Sequence, residues 1–211
     1  TISMNVTSFS DFGPEAVLNV SASGGAGSDI INVSTISDEF GDSVVQNTIY
    51  GDSGHDVITA HAVGGDFFGD ASTAINEIYG GSGDDRITAT AVVFSNSSRL
   101  AKNYLDGGSG DDYLSASTSV DSNVDSPEGE NTLIGGGGND ELVADHKTDG
   151  ENDTTTLTSD LNGGSGNDTL TATMLALADD TATGDNLLDG GTGNDVLSAS
   201  ILAGTAFGPA N

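Results

Sequence analysis

The sequence predicts an all-β protein: a parallel solenoid of about seven coils, with two parallel sheets and a row of glycine-rich turns along one edge. Three observations carry this expectation. A nine-residue stretch recurs seven times, starting at Gly24, Gly51, Gly80, Gly107, Gly135, Gly163 and Gly190. The intervals are 27, 29, 27, 28, 28 and 27 residues, so a unit of about 28 residues keeps its phase along the chain. After each copy apolar and polar residues alternate, which is the period-two signature of a strand.

Composition narrows the fold further. Of 211 residues, 31 are glycine, 35% are hydrophobic and none is tryptophan, so a thin interior is expected in place of a bulky aromatic core. Acidic residues number 33 against 4 basic ones, for a formal charge of −29. Cations are the natural partners, and nucleic acid and anionic membrane surfaces the least suitable. Cysteine is absent, which removes disulfides and thiolate metal sites. No apolar run approaches the roughly 18 to 20 residues of a membrane span, and the N-terminus shows no basic segment followed by an apolar one.

Each coil reads in the same order. Two residues before the motif stands Ala22, Ile49, Ile78, Leu105, Leu133, Leu161 or Leu188, and four before it asparagine recurs at 47, 76, 103, 131 and 186. A short strand is expected there, with the asparagines forming a structural ladder. The motif follows, best seen in Gly107-Gly108-Ser109-Gly110-Asp111-Asp112-Tyr113-Leu114-Ser115. It fits G-G-x-G-x-D-x-U-x, a template for a calcium-binding turn that feeds a strand. Glycines permit positive φ and turn carbonyl oxygens inward, and the aspartate supplies a hard anionic oxygen. Asp52 replaces the second glycine of the Gly51 turn; its carbonyl still serves, at a higher conformational cost. A longer strand is expected to leave the turn, with Ile31, Ile58, Ile87, Leu114, Leu142, Leu170 and Leu197 as one buried row. Val33, Ala60, Ala89, Ala116, Ala144, Ala172 and Ala199 form the next. Variable polar stretches such as 121–130 and 145–153 are return loops.

These residues resemble the RTX repeats, the haemolysin-type calcium-binding repeats of bacterial secreted proteins, over roughly residues 18 to 202. The resemblance implies a β-roll in which Ca²⁺ lies between successive turns. The carboxylate ligands it implies are Asp29, Asp56, Asp85, Asp112, Asp140, Asp168 and Asp195. The turn backbone it implies as ligand is Gly24, Gly25 and Gly27; Gly51, Asp52 and Gly54; Gly80, Gly81 and Gly83; Gly107, Gly108 and Gly110; Gly135, Gly136 and Gly138; Gly163, Gly164 and Gly166; and Gly190, Gly191 and Gly193. Nonapeptides of the family usually follow one another directly, whereas each coil here carries one motif, so calcium is expected along a single edge. Seven turns define six gaps, and about six ions would take the charge from −29 to about −17. The resemblance also implies a secreted or cell-surface protein that passes a type I secretion channel unfolded and folds on calcium outside, as a spacer, stabiliser or adhesin segment.

Other functions have weaker support in the residues. No cysteine nucleophile, G-x-S-x-G elbow or H-E-x-x-H pair is present, and Arg86, Arg99, Lys102 and Lys147 do not cluster, so the chain is read as non-catalytic. It also fits a non-catalytic accessory module of a secreted polysaccharide- or protein-degrading enzyme. Outward Thr/Ser rows, including Thr59, Thr88, Thr90, Ser115, Ser117, Thr171 and Thr173, resemble an ice-binding face, interrupted at His61, Val143 and Asp145. His55, His61 and His146 fall at unrelated phases, which disfavours a shared transition-metal site. Phe12-Gly13-Pro14 and Phe207-Gly208-Pro209 lie 195 residues apart in the same phase, so residues 1–211 read as one repeat domain cut from a longer array. Neighbouring repeats are its certain partners; a protein or carbohydrate ligand is left open.

Overall fold

A computed structural model describes residues 1–8, 16–37, 42–65, 71–95, 99–122, 127–148, 154–176 and 181–203. They form fifteen strands: β1 (Ile2–Ser8), β2 (Ala16–Ala26), β3 (Ile30–Ser37), β4 (Ser43–Ser53), β5 (Val57–Gly64), β6 (Ser72–Ser82), β7 (Arg86–Ser95), β8 (Arg99–Ser109), β9 (Tyr113–Ser122), β10 (Glu128–Gly137), β11 (Glu141–Thr148), β12 (Thr154–Ser165), β13 (Thr169–Ala176), β14 (Thr181–Asp189) and β15 (Val196–Ala203). The eight odd strands make one sheet and the seven even strands a second, each in coil order. All pairs are parallel, for example Ile58↔Ile87↔Leu114 and Asn76↔Asn103↔Asn131. The fold is a two-sheet parallel β-solenoid, as the repeat predicts. Among the described residues no helix is long and apolar enough to cross a membrane.

Strand lengths reverse one expectation. The strands entering the turn are the longer ones, with 11 residues in β4, β6 and β8 against 8 in β3 and β5. The reason is that the opening Gly-Gly-x of each motif still pairs with its equivalent one coil on, as in Gly81↔Gly108 and Ser82↔Ser109. Glycines stacked on glycines prolong the ladder into the turn.

Side chains alternate across each strand, so every second residue enters the space between the sheets. Next to the turn edge Ile49, Ile78, Leu105, Leu133 and Leu161 face Ile58, Ile87, Leu114, Leu142 and Leu170 in one continuous apolar cluster, closed by the alanine row. Leu197, on the edge strand β15, is exposed. A smaller cluster of Val45, Ala62, Ala74, Ala91, Val93, Ala101 and Val120 lies toward the return loops.

Between the two clusters runs the asparagine row. Asn47, Asn76 and Asn103 each donate 2.9 Å bonds to the Oδ1 of the next asparagine. Each of the four from Asn47 to Asn131 also donates to a carbonyl of the facing sheet, at His61, Thr90, Ser117 and Asp145. The row has a direction, and therefore two ends. At one, Thr35 Oγ1 donates to Asn47 Oδ1 at 2.6 Å. At the other the next coil offers Ser159, and His146 reaches across: its Nε2 lies 3.3 Å from Asn131 Nδ2 and 3.0 Å from Ser159 Oγ. Its Nδ1 meets Thr118 Oγ1. Accepting at Nε2 places the proton on Nδ1, so the ring is neutral. Asn186, beyond Ser159, is outside the ladder, and its side chain has no hydrogen-bond partner.

Core volume is conserved by compensation. The imidazole of His146 occupies a position filled by Ala62 and Ala91 in earlier coils, and the facing residue shrinks to Gly129. A Cβ there would stand 3.0 Å from Thr118 Oγ1 and 3.2 Å from His146 Nδ1. Met174 faces Gly184 in the same way, with its sulfur 2.6 Å from where a Cβ would lie. The Thr/Ser rows stand in register outside the odd sheet and break at His61 and Asp145. The two Phe-Gly-Pro triplets, and residues 123–126 and 149–153 of the return loops, lie outside the described residues.

Candidate metal centre: the turn column

The turns stack along one edge, and the three motif glycines do different jobs. The second and fourth adopt the left-handed region, as in Gly81 (φ 110°), Gly83 (φ 114°), Gly108 (φ 99°) and Gly110 (φ 128°). Asp52 takes the second position at φ 74°, the one non-glycine with positive φ among the described residues. Its carboxylate accepts a 2.5 Å bond from Ser23 Oγ and a 3.2 Å bond from Gly25 N–H, which holds the unusual backbone in place. The first glycine does not have positive φ, contrary to the simple reading of the motif. It is glycine for space: a Cβ on Gly51 would stand 2.6 Å from Asp56 Oδ2 and 2.5 Å from the carbonyl oxygen of Gly80. The same two groups crowd Gly80, from Asp85 and Gly107, and Gly163, from Asp168 and Gly190.

The motif aspartates divide their two oxygens. Oδ1 accepts from the backbone N–H of the preceding motif aspartate, at 2.7 to 3.0 Å, in all six steps from Asp29 to Asp195. Oδ2 of Asp56, Asp85, Asp112, Asp140 and Asp168 is buried without a hydrogen-bond partner. That atom and the first-glycine carbonyl oxygen of the next coil both border the space where the first glycine of its own motif lacks a Cβ. A buried carboxylate oxygen with no donor, in a space that a carbonyl oxygen also lines, costs free energy unless a cation or proton satisfies it. Burial is the main cause that raises the carboxyl of Asp85 to about 6, of Asp112 to about 7 and of Asp140 to about 6. The backbone N–H of the preceding aspartate opposes the rise, and the neighbouring carboxylates add to it.

A second ladder runs on the outside of the same turns, through motif position five. Asp84 Oδ1 accepts from Asp111 N–H at 2.9 Å, Asp111 Oδ1 from Asn139 N–H at 2.7 Å and Asn139 Oδ1 from Asn167 N–H at 2.9 Å. His55 takes part through Nδ1, which accepts from Asp84 N–H at 2.9 Å. This ladder points the opposite way to the inner one, so each turn is tied to both neighbours. Sequence reasoning passed over it, although an acceptor side chain stands at position five in every copy.

The donor set facing the gaps is oxygen only, with carboxylate and carbonyl together, and it fits a hard cation such as calcium. Among the described residues no three His, Asp or Glu side chains converge to form a metal cluster. The aspartates stand in single file, and the remaining ligands of any ion would be backbone carbonyls. The histidines do not gather: His55 is on the turn surface, His61 faces outward, where partial burial lowers its pKa, and His146 is inside.

A parallel solenoid with a file of buried carboxylate oxygens along its turns defines a class of repeat protein that presents a row of anionic oxygens along one edge. Within that class the sequence is specific: the family model of the RTX calcium-binding nonapeptide repeat (4 copies) matches residues 46–62, 70–91, 102–121, 128–145, 160–173 and 180–200, just over half of the chain. The chain belongs to this family. The matched segments hold six of the seven motifs, and the Gly24 copy lies outside them. No curated protein and no solved structure matches the chain.

Proposed function

We propose that the protein is a calcium-dependent structural module that folds on ion binding outside the cell, as a spacer, stabiliser or adhesin segment of a secreted or cell-surface protein. About six ions are accommodated, one per gap between successive turns. The observation that carries this reading is the buried, partnerless Oδ2 of Asp56, Asp85, Asp112, Asp140 and Asp168, each bordering, with a carbonyl oxygen of the next coil, the space beside the first motif glycine. Asp29 and the backbone of the Gly24 and Gly51 turns complete the sixth gap, and Asp195 ends the inner ladder. Calcium, when bound, supplies the positive charge that these oxygens lack and counters part of the −29.

The chain's own residues explain why order depends on that charge. Alanine and glycine rows bury little apolar surface per residue, so the interior alone offsets chain entropy poorly. Aspartates that already cap one neighbour through Oδ1 hold Oδ2 aligned for the other, so coils order together. Extracellular calcium modules have dissociation constants of about 10⁻⁴ to 10⁻³ M, which leaves the chain unfolded in a low-calcium cytosol and folded outside, as type I export requires. RTX repeats are typically non-catalytic, which agrees with the absence of a catalytic constellation in the sequence. A calcium titration followed by circular dichroism, reversed with a chelator, tests the proposal. At pH 8, β-structure is expected to appear with calcium and vanish with chelator; complete β-structure in calcium-free buffer at that pH, with no ions bound on titration, would refute it.

A further inference from the structure

The outer face of the even sheet departs from the Thr/Ser/Asn surface around it. Three of the chain's four tyrosines lie there, on β4, β6 and β8. Tyr50 and Tyr79 stack with centroids 5.2 Å apart and planes within 8°, while Tyr104, 5.7 Å from Tyr79, is tilted by 50° from it. Tyr104 borders a shallow groove of about 380 Å³ whose other walls are Gln46, Ile75, Glu77, Leu100 and Lys102. Neighbouring side chains fix the polar rim: Tyr79 Oη donates to Glu77 Oε1 at 2.6 Å, and Lys102 Nζ donates to Glu130 Oε2 at 2.6 Å.

We propose that this groove binds a neutral carbohydrate, a pyranose disaccharide or the equivalent stretch of a longer glycan. Ile75, Leu100 and the Tyr104 ring give an apolar bed for the C–H face of a sugar. Around them stand an acceptor (Glu77), a donor (Lys102) and a group that is both (Gln46), the mixture that hydroxyl groups need. Phosphate or an acidic peptide requires donors in excess, and Lys102 is already held by Glu130. The net charge of −29 repels anionic ligands further. The groove crosses three strands, about 9.6 Å at the usual spacing, which is the length of a disaccharide. In-register stacking holds these side chains on a rigid surface, so little ordering is left for binding. The inference goes beyond the calcium reading and rests only on the folded chain.

The test is isothermal titration and ¹H–¹⁵N spectroscopy of the full, calcium-loaded chain with cello-, malto- and N-acetylchito-oligosaccharides, and with oligogalacturonate as the anionic comparison. At least one neutral oligosaccharide is expected to bind with a dissociation constant of about 1 mM or tighter, shifting resonances of β4, β6 and β8. Tyr104→Ala is expected to weaken that binding about ten-fold, Gln46→Ala to weaken it measurably, and Tyr113→Ala, on the other sheet, to leave it unchanged. Circular dichroism confirms that each variant is folded, and Gln46→Ala keeps the test decisive if Tyr104→Ala is not. No saturable binding of a neutral sugar, equal binding of oligogalacturonate, or binding undiminished in a folded variant overturns the proposal. None of these results alters the calcium titration, so the two readings fail separately.

Discussion

At the scale of single residues, the inner carboxylates and the first glycines make separable predictions. Asp112 stands between two neighbours: Oδ1 accepts from Asp85 N–H, and Oδ2 borders the space beside Gly107 that the Gly135 carbonyl oxygen also lines. Asp112→Asn keeps an acceptor for the first and removes the charge at the second. It is expected to weaken calcium binding in the adjoining gaps by about ten-fold or more, read by calorimetry, while leaving the inner ladder intact in the calcium-loaded chain. Asp112→Ala removes both interactions and should also lower the thermal midpoint of the calcium-loaded chain below that of Asp112→Asn. Gly107→Ala drives a methyl group against Asp112 Oδ2 and the Gly135 carbonyl, and the loss is expected to be about 1–3 kcal/mol in denaturant melts of the calcium-loaded chain. The motif in the sequence showed that both residues matter. It did not show why, because glycine chosen for positive φ and glycine chosen for space are the same letter.

At the scale of the element, the asparagine row joins the two sheets where the apolar clusters leave a gap. Asn103→Ala strips partners from Asn76, Asn131 and the Ser117 carbonyl, and is expected to cost about 2–4 kcal/mol in denaturant melts. The strands, their faces and the asparagine ladder were legible in the sequence, because period-two alternation and phased repeats are one-dimensional signals. The ends of the ladder were not. Thr35 and His146 sit on the facing strands, half a coil away from the residues they satisfy, and Gly129 makes room for an imidazole 17 positions later. Pairings of that kind depend on how the sheets face each other, which a repeat pattern leaves open. For the same reason the longer strand was assigned to the wrong side of the turn: the glycines that read as punctuation also pair as strand.

At the scale of the whole molecule, protons and calcium are expected to compete for the same oxygens. Asp85, Asp112 and Asp140 ionise at about 6 to 7 in the folded chain, above the ordinary carboxyl value of 3.8. Their contribution favours the calcium-free fold at low pH and is lost as pH rises from about 4 through 7. His146, lowered to about 4 by burial, acts in the opposite sense: its contribution is present above 6.5 and is lost as pH falls toward 4. Three groups outweigh one, so β-structure in chelator is expected to increase from pH 8 to pH 5, read by circular dichroism, and to level off below about pH 4, where all four groups are protonated in both states. His146→Leu should steepen the part of that rise below about pH 6.5, because the opposing contribution is gone. Calcium affinity is expected to weaken over the same descent from pH 8 to pH 5. The paired ladders of the turn column have a further consequence, for how such a chain changes its length in evolution. Because each turn offers its neighbours the same inner and outer bonds, one coil is a transferable word, and its loss leaves the grammar of the rest intact. Removing residues 80–106 joins Tyr79 to Gly107 and brings the Gly51 and Gly107 turns together in phase, so the shortened protein should still fold on calcium. The coils that hold His146 and Met174 are exceptions, since each can be copied or deleted only together with the glycine that makes room for it, Gly129 or Gly184, and the first also with the Ser159 that stands beside it.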